Sequence, residues 1–220
     1  MKVTTDGCLF GAWMAEEIKN LKFKIQNTLD IGCGTGLLSL MLAQKNDLAI
    51  DAVEINNDAA AQATENIAAS PWQSRITVIH SDVLQWETNK KYDCIVSNPP
   101  FYETELKSGK APRNVAHHDD GLKLSEILLF IKKNLAEAGV FYLLLPAKRR
   151  SEFEGLLNLH GLHLHKTVAV KQTTSHTPFR LMIKASNTKG GITSQEITVK
   201  NSNEYTPEFI SLVKDYYLYL

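Results

Sequence analysis

From Leu29 onward, short apolar runs alternate with stretches in which apolar residues recur at helical spacing. "TLDIG" is followed by the helix pattern "TGLLSLMLAQK", and "LAIDAVEI" by "NDAAAQATENIAAS". "RITVIH" and "YDCIVS" come next, then the helix pattern "KLSEILLFIKKNLAEA" and the strand "GVFYLLLP". Strands alternating with helices predict βαβ units around a parallel sheet, apolar throughout because both faces are covered. Asn56 or Asn57 is placed to N-cap the second helix, and Gly139 stands where a helix C-cap is expected before "VFYLLL".

Beyond Pro146 the pattern changes. "KRRSEFEGLLNLHG" predicts a helix, and "LHLHKTVAVK", "PFRLMIKAS" and "ITSQEITVK" predict strands joined only by loops. Strands that close in sequence call for at least one antiparallel pairing at the sheet edge. Thr206 and Pro207 cap and open a last helix, "EFISLVKDYYLYL", on which Phe209, Val213, Tyr216 and Leu220 share one face. No repeat, low-complexity tract or linker interrupts this order. Residues 1–220 therefore read as one α/β domain, Rossmann-like and doubly wound: a leading segment over 1–26, sheet and helices over 27–200, and a closing helix over 201–220.

Composition narrows the function classes without choosing among them. The 220 residues are 44% hydrophobic, enough for a substantial core, and 24 basic residues balance 24 acidic ones. A balanced charge removes the whole-protein field expected of a strong nucleic-acid or membrane binder, although a local basic patch would serve either. Cys8, Cys33 and Cys94 are scattered and odd in number, which predicts neither a metal site nor a disulfide framework and points to a reducing compartment. The start "MKVTTDGCLF" lacks a secretory pattern, and no run approaches the ~20 apolar residues of a membrane span. A cytoplasmic protein with no membrane contact and no obligatory protein partner is the expectation.

Candidate chemistry gathers at the predicted carboxyl ends of the strands, where ligands sit in doubly wound sheets. "LDIGCGTG" carries a strand through Gly32, Cys33, Gly34 and Gly36 into a helix, with Asp30 two residues ahead of the first glycine. Glycines there permit tight turning and close approach of backbone to a ligand. Leu37 takes the third glycine position of the dinucleotide fingerprint, which disfavours a nicotinamide cofactor. Glu54, followed by Ile55, ends the second strand, where a carboxylate can accept from both ribose hydroxyls. The alternative is a solvent-facing acid at a helix entry. Asp82, followed by Val83, ends the third strand and reads equally as an acceptor facing a bound ligand or as an N-cap of "VLQW".

The fourth strand closes in "VSNPPF". Neither Pro99 nor Pro100 has an N–H for a ladder, and a proline holds the residue before it extended. The stretch therefore offers acceptors: the Asn98 side-chain oxygen and backbone carbonyls, the two that a planar NH₂ group needs. Phe101 adds a flat ring for stacking. An exocyclic amino nitrogen is a weak nucleophile because its lone pair is delocalised. Hydrogen bonds accepted from both its hydrogens return electron density to it and direct the lone pair toward an electrophile.

These features together resemble the class I S-adenosylmethionine-dependent methyltransferases, and "NPPF" resembles the [N/D/S]-P-P-[Y/F/W] motif of their amino-methylating group. The resemblance implies a mainly parallel seven-stranded sheet with an antiparallel edge and S-adenosyl-L-methionine as cofactor. "MKVTTDGCLFGAW" and "YTPEFISLVKDYYLYL" further resemble the two ends of the bacterial valine-tRNA adenine-37 methyltransferases. That implies methyl transfer to N6 of adenine in a tRNA anticodon loop. It places residues 1–26 over the active site, with Thr5 near the cofactor's carboxylate and Asp6 near the entering base. A polar turn ahead of the helix "GAWMAEEIKNL" is the plainer reading of both residues.

Asn98, Pro99, Pro100 and Phe101 are the implied catalytic residues. The implied cofactor contacts are Thr5, Asp30, Gly32, Cys33, Gly34, Gly36, Glu54, Ile55, Asp82, Val83 and Asn98. Asp6, Phe101, Arg113 and His117 are the implied substrate contacts. "AHHDD", His117 to Asp120, is read as a loop, with Lys107, Lys110 and Arg113 as phosphate contacts; no metal is expected. "AKRR" is a second candidate basic patch or simply a charged helix entry. Competing readings are a glutamine methylase of proteins, an amino-methylase of rRNA or DNA, and a cofactor-binding subunit without catalysis.

Overall fold

The computed structural model describes residues 3–100 and 122–219. In chain order the elements are α1 (Thr5–Lys19), β1 (Asn27–Ile31), α2 (Leu37–Lys45), β2 (Ala49–Glu54), α3 (Asn57–Ala68), β3 (Ile76–His80) and β4 (Tyr92–Ser97). Then follow α4 (Leu124–Asn134), β5 (Leu135–Pro146), α5 (Arg150–His160), β6 (His163–Thr173), β7 (Arg180–Ser186), β8 (Thr193–Asn201), β9 (Glu204–Tyr205) and α6 (Pro207–Val213). Among the described residues no helix is long and apolar enough to cross a membrane.

One sheet runs in the order β3-β2-β1-β4-β5-β7-β6-β8-β9, with β1 to β5 parallel and β7 antiparallel to both its neighbours. The sheet is thus mainly parallel with an antiparallel edge, as expected, but it has nine strands where seven were expected. The extra pair is β8 and β9, and β8 lies parallel to β6. The reason is that β7 inserts between β5 and β6 and has both edges taken. When β8 reverses direction after β7, the free edge left to it is that of β6, which itself runs against β7. The connection crosses β6 at His165, where a Cβ on Gly190 would come within 2.6 Å of the imidazole.

Side chains alternate between two cores. Val140, Tyr142 and Leu144 of β5 join Val96 of β4 under α1, α2 and α6; Phe141, Leu143 and Leu145 join Ile95 under α4 and α5. That alternation across a two-sided sheet is why the strands read as continuous apolar runs. Cys8, Cys33 and Cys94 are all buried and free.

Local signals resolve one by one. Asn56 is the cap of α3, its side-chain oxygen accepting from Ala59 N at 3.0 Å. Thr206 caps α6 with Pro207 in the first turn, but the helix stops at Val213. Phe209 and Val213 are buried and Tyr216 packs against the same core, while Leu220 lies outside the described residues. Gly139 is not a C-cap: α4 ends at Asn134, whose side-chain amide donates to Phe130 O at 2.9 Å, and Gly139 lies within β5. The first helix starts well before "GAWMAEEIKNL", because Thr4 caps it and Thr5 begins it.

Candidate active site

The parallel strands end at one level. Ile31 pairs with both Val53 and Ser97, and Glu54 pairs with His80. With strands about 4.8 Å apart, the loop after β1, the end of β2 and the residue after β4 lie within about two strand spacings. Ser97 is buried and its hydroxyl donates to Ile31 O at 2.7 Å, which ties the end of β4 to the strand below the loop.

Gly32, Gly34 and Gly36 adopt φ of 68°, 57° and 84°, left-handed values that other residues avoid. The backbone turns so sharply there that the loop spends its own N–H groups. Gly32 N and Cys33 N donate to Val53 O at 2.9 and 3.1 Å, and Gly36 N to Cys33 O at 2.9 Å. Gly34 N donates to the Glu54 carboxylate at 2.8 Å. A pyrophosphate would need free N–H groups of this kind. The loop instead leaves Gly32 exposed, with nothing within 4 Å of where a Cβ would stand.

Glu54 is buried, and its second carboxylate oxygen accepts from Asn56 N at 2.8 Å. Each oxygen keeps a lone pair, so the group can still take two hydroxyl donors. The next side chain, Ile55, is 64% exposed, an apolar surface at the mouth of the site. Asp30 is fully buried beneath the loop. One oxygen accepts from the Ser39 hydroxyl at 2.7 Å, and the other has no partner among the described residues. Burial pushes the Asp30 carboxyl up to about 7; the Ser39 bond opposes this and the nearby Glu54 charge adds to it. A group whose folded pKa is raised loses its stabilising contribution as pH climbs from the usual 3.8 through about 7. Asp30→Asn, which keeps an acceptor for Ser39, should therefore gain in melting temperature relative to the unsubstituted protein between pH 5 and pH 8. Parallel melting curves across that range would refute the raised carboxyl.

Asn98 follows Ser97, is exposed, and makes no hydrogen bond to any described residue; Pro99 behind it is buried. Its amide nitrogen faces the first turn of α1, 3.8 Å from where a Cβ on Gly7 would stand. The start of α1 therefore covers this corner. Thr5 is exposed and in reach of Tyr217 from the C-terminal segment. Asp6 accepts from Gly7 N at 3.1 Å and from Arg180 Nε at 2.8 Å. Burial would raise the Asp6 carboxyl, but the bonds from Thr4 and Arg180 outweigh it and hold the group below its ordinary value.

No helix follows β3 to be capped: Asp82 instead opens a turn over 83–85, its carbonyl accepting from Gln85 N and Trp86 N. Its carboxylate oxygens accept from Leu84 N and from the Gln85 side chain, both at 2.9 Å, and Val83 is buried in the second core. Phe101, Arg113 and His117 lie outside the described residues, as do Lys107 and Lys110. Arg149 of "AKRR" pairs with Glu152, and Arg150 with Glu154. Reading the sequence missed Ser39, Ser97 and Arg180. Only Arg180 carried a signal, a cation at the start of an otherwise largely apolar strand.

The model of the methyltransferase small domain family matches residues 12–123. A Parabacteroides distasonis protein named tRNA1(Val) (adenine(37)-N6)-methyltransferase is 38% identical over 222 residues, covering 99% of this chain and 91% of its own. Among solved structures, a predicted O-methyltransferase from Agrobacterium tumefaciens superposes with TM-score 0.70 at 13% identity, covering 96% of this chain and 97% of its own. The magnesium protoporphyrin IX methyltransferase of Synechocystis, solved with bound S-adenosylmethionine, gives TM-score 0.59 at 17% identity over 84% and 79%. The last two likenesses bear on the fold, which is that of the class I methyltransferases. Identity at this level over nearly the whole chain settles the family: the chain belongs to the tRNA1(Val) (adenine(37)-N6)-methyltransferases.

Proposed function

We propose that this protein transfers a methyl group from S-adenosyl-L-methionine to N6 of adenine 37 in valine tRNA. The observation that carries the reading is Asn98: an exposed amide with no hydrogen bond to any described residue, fixed one residue beyond a buried strand and beside the glycine loop. An amide at such a point is free to accept from a substrate.

The residues present fit the cofactor. A buried Asp30 oxygen with no partner among the described residues favours positive charge above the loop, which suits an ammonium or sulfonium and opposes a pyrophosphate. Glu54 retains lone pairs for the two ribose hydroxyls, and exposed Ile55 offers an apolar face to adenine. Asp82, though engaged in its own turn, keeps lone pairs for an adenine amino group. Exposed Thr5 completes the rim, with the buried Cys33 behind it in the loop. When bound, the cofactor supplies a methyl group on a cationic sulfur, electrophilic enough that no strong base is required.

The chain's own residues position the nucleophile. Asn98 Oδ1 and the carbonyl of Pro99 accept the two hydrogens of the adenine amino group, which concentrates its lone pair toward the methyl. The rigid Pro99–Pro100 pair holds both acceptors in place, so their geometry costs no reorganisation. Phe101 stacks on the base, Asp6 lies beside it, and Arg113 and His117 contact the anticodon loop. Bases of a hairpin loop are already partly unstacked, so drawing one into the site costs less than from a duplex.

The test is transfer of labelled methyl from S-adenosylmethionine to tRNA lacking the modification, with total protein and DNA as competing acceptors. Label should enter valine tRNA and map to N6 of adenine 37. Label in protein glutamine, or in none of these, would overturn the proposal.

A further inference from the structure

Arg180 opens β7, paired with Pro146 at the end of β5 and with Val170 of β6, so it stands on the same rim of the sheet as Asn98. Two strand steps, about 10 Å, separate β4 from β7. The direction matters. Glu54 and the loop lie on the β2 and β1 side of Asn98, and Arg180 lies on the other. An oxyanion beside Arg180 is therefore on the substrate side, away from the cofactor's ribose.

The guanidinium is held but not used up. Asp6 takes only Nε, at 2.8 Å, and a third of the Arg180 side chain remains exposed. The Phe179 ring lies 5.8 Å from the guanidinium carbon. No described residue accepts from its two terminal amino groups, the edge whose fork matches two oxygens of a phosphate. The Asp6 carboxylate also accepts from Gly7 N, and Gly7 adjoins Asn98. The guanidinium is thus linked through one helix turn to the amide that receives the target amine.

Resting on the tRNA reading above, we infer that Arg180 binds a backbone phosphate at or next to the target nucleotide, with Asp6 as the positioning residue that orients it. Nucleotide phosphate is the chemistry that fits: a doubly accepting anion, at about the distance that separates a base's amino edge from its own backbone. Asp6 therefore acts on the substrate through Arg180.

The experiment measures binding of unmodified valine tRNA across a salt series, beside calorimetry with S-adenosylhomocysteine and thermal melts. Arg180→Ala should weaken tRNA binding about 10-fold and lower the salt slope by roughly 0.7, the share of one single-stranded phosphate. S-adenosylhomocysteine affinity should stay within about twofold. Asp6→Asn keeps one acceptor oxygen, which can stay with Nε at the expense of Gly7 N, while removing the opposing charge, so tRNA should bind several-fold tighter. Unchanged tRNA affinity in Arg180→Ala would overturn the inference and leave a clamp for α1. A selective loss of S-adenosylhomocysteine affinity would instead assign the guanidinium to the cofactor's carboxylate. If Arg180→Ala does not fold, Asp6→Asn decides, because equal or weaker tRNA binding there overturns the inference too. An unsubstituted protein that binds no tRNA removes both this inference and the proposed function; one that binds as well as Arg180→Ala does removes this inference alone.

Discussion

Asn98→Ala should lower single-turnover methyl transfer by about 10²–10³-fold, the scale for one preorganised polar group that acts mainly in the transition state. S-adenosylmethionine affinity should hardly move. The separation follows from the structure. Asn98 is exposed and bonded to no described residue, so its removal costs the fold little, and Ser97 continues to anchor the end of β4 through Ile31. What disappears is an acceptor that strengthens as the amino nitrogen gains positive charge, so the loss falls on turnover. Asn98→Asp keeps the acceptor and should retain more activity than Asn98→Ala. Rates for the alanine variant within twofold of the unsubstituted protein, at equal folded fraction by thermal melt, would make "NPPF" a rigid turn and nothing more.

Much of this fold was legible because its strands are covered on both sides. A sheet flanked by helices demands near-continuous apolar runs, and "YDCIVS" and "GVFYLLLP" became β4 and β5 for that reason. The α3 and α6 caps were legible too, because a cap is a contact between a side chain and the backbone three residues on. What the sequence did not reveal depended on distant partners. The parallel pairing of β8 with β6 follows from β7 having entered between β5 and β6, which no local pattern encodes. Gly139 looked like a helix end, but the end was set by Asn134 bonding back to Phe130.

The site divides the same way. Its candidate glycines, Glu54 and Asn98 sit next to strand ends, so local pattern was enough to propose them. The consumption of the loop's N–H groups depends on Val53 and Glu54, some twenty residues on. The Asp6–Arg180 pair joins residues 174 positions apart, which leaves Asp6 by itself looking like a turn residue. Asp82 shows the limit of position alone: both its readings predict an acid after β3, and only its bonds to Leu84 and Gln85 reveal a turn where a helix cap was expected.

Glu54→Ala should damage cofactor binding most. The carboxylate is buried and accepts from two backbone N–H groups, Gly34 in the loop and Asn56 at the entry to α3. Truncation leaves both donors without a partner and frees Gly34 from the left-handed turn it holds, while also deleting the acceptors offered to ribose. Hydrogen bonds to a charged group contribute about 1.5–3 kcal/mol each. Loss of a single ribose contact then corresponds to on the order of 10- to 100-fold in cofactor affinity, and loss of both to more. Glu54→Gln keeps one acceptor oxygen but turns the other into a donor facing an N–H, so it should fall between alanine and the unsubstituted protein. Calorimetric titration with S-adenosylhomocysteine reads the affinity, and a melt without ligand reads the cost to the loop. The two measurements separate the roles. A lower melting temperature with unchanged affinity would make Glu54 a brace for the loop, whereas both falling together places the ribose and the loop on the same carboxylate.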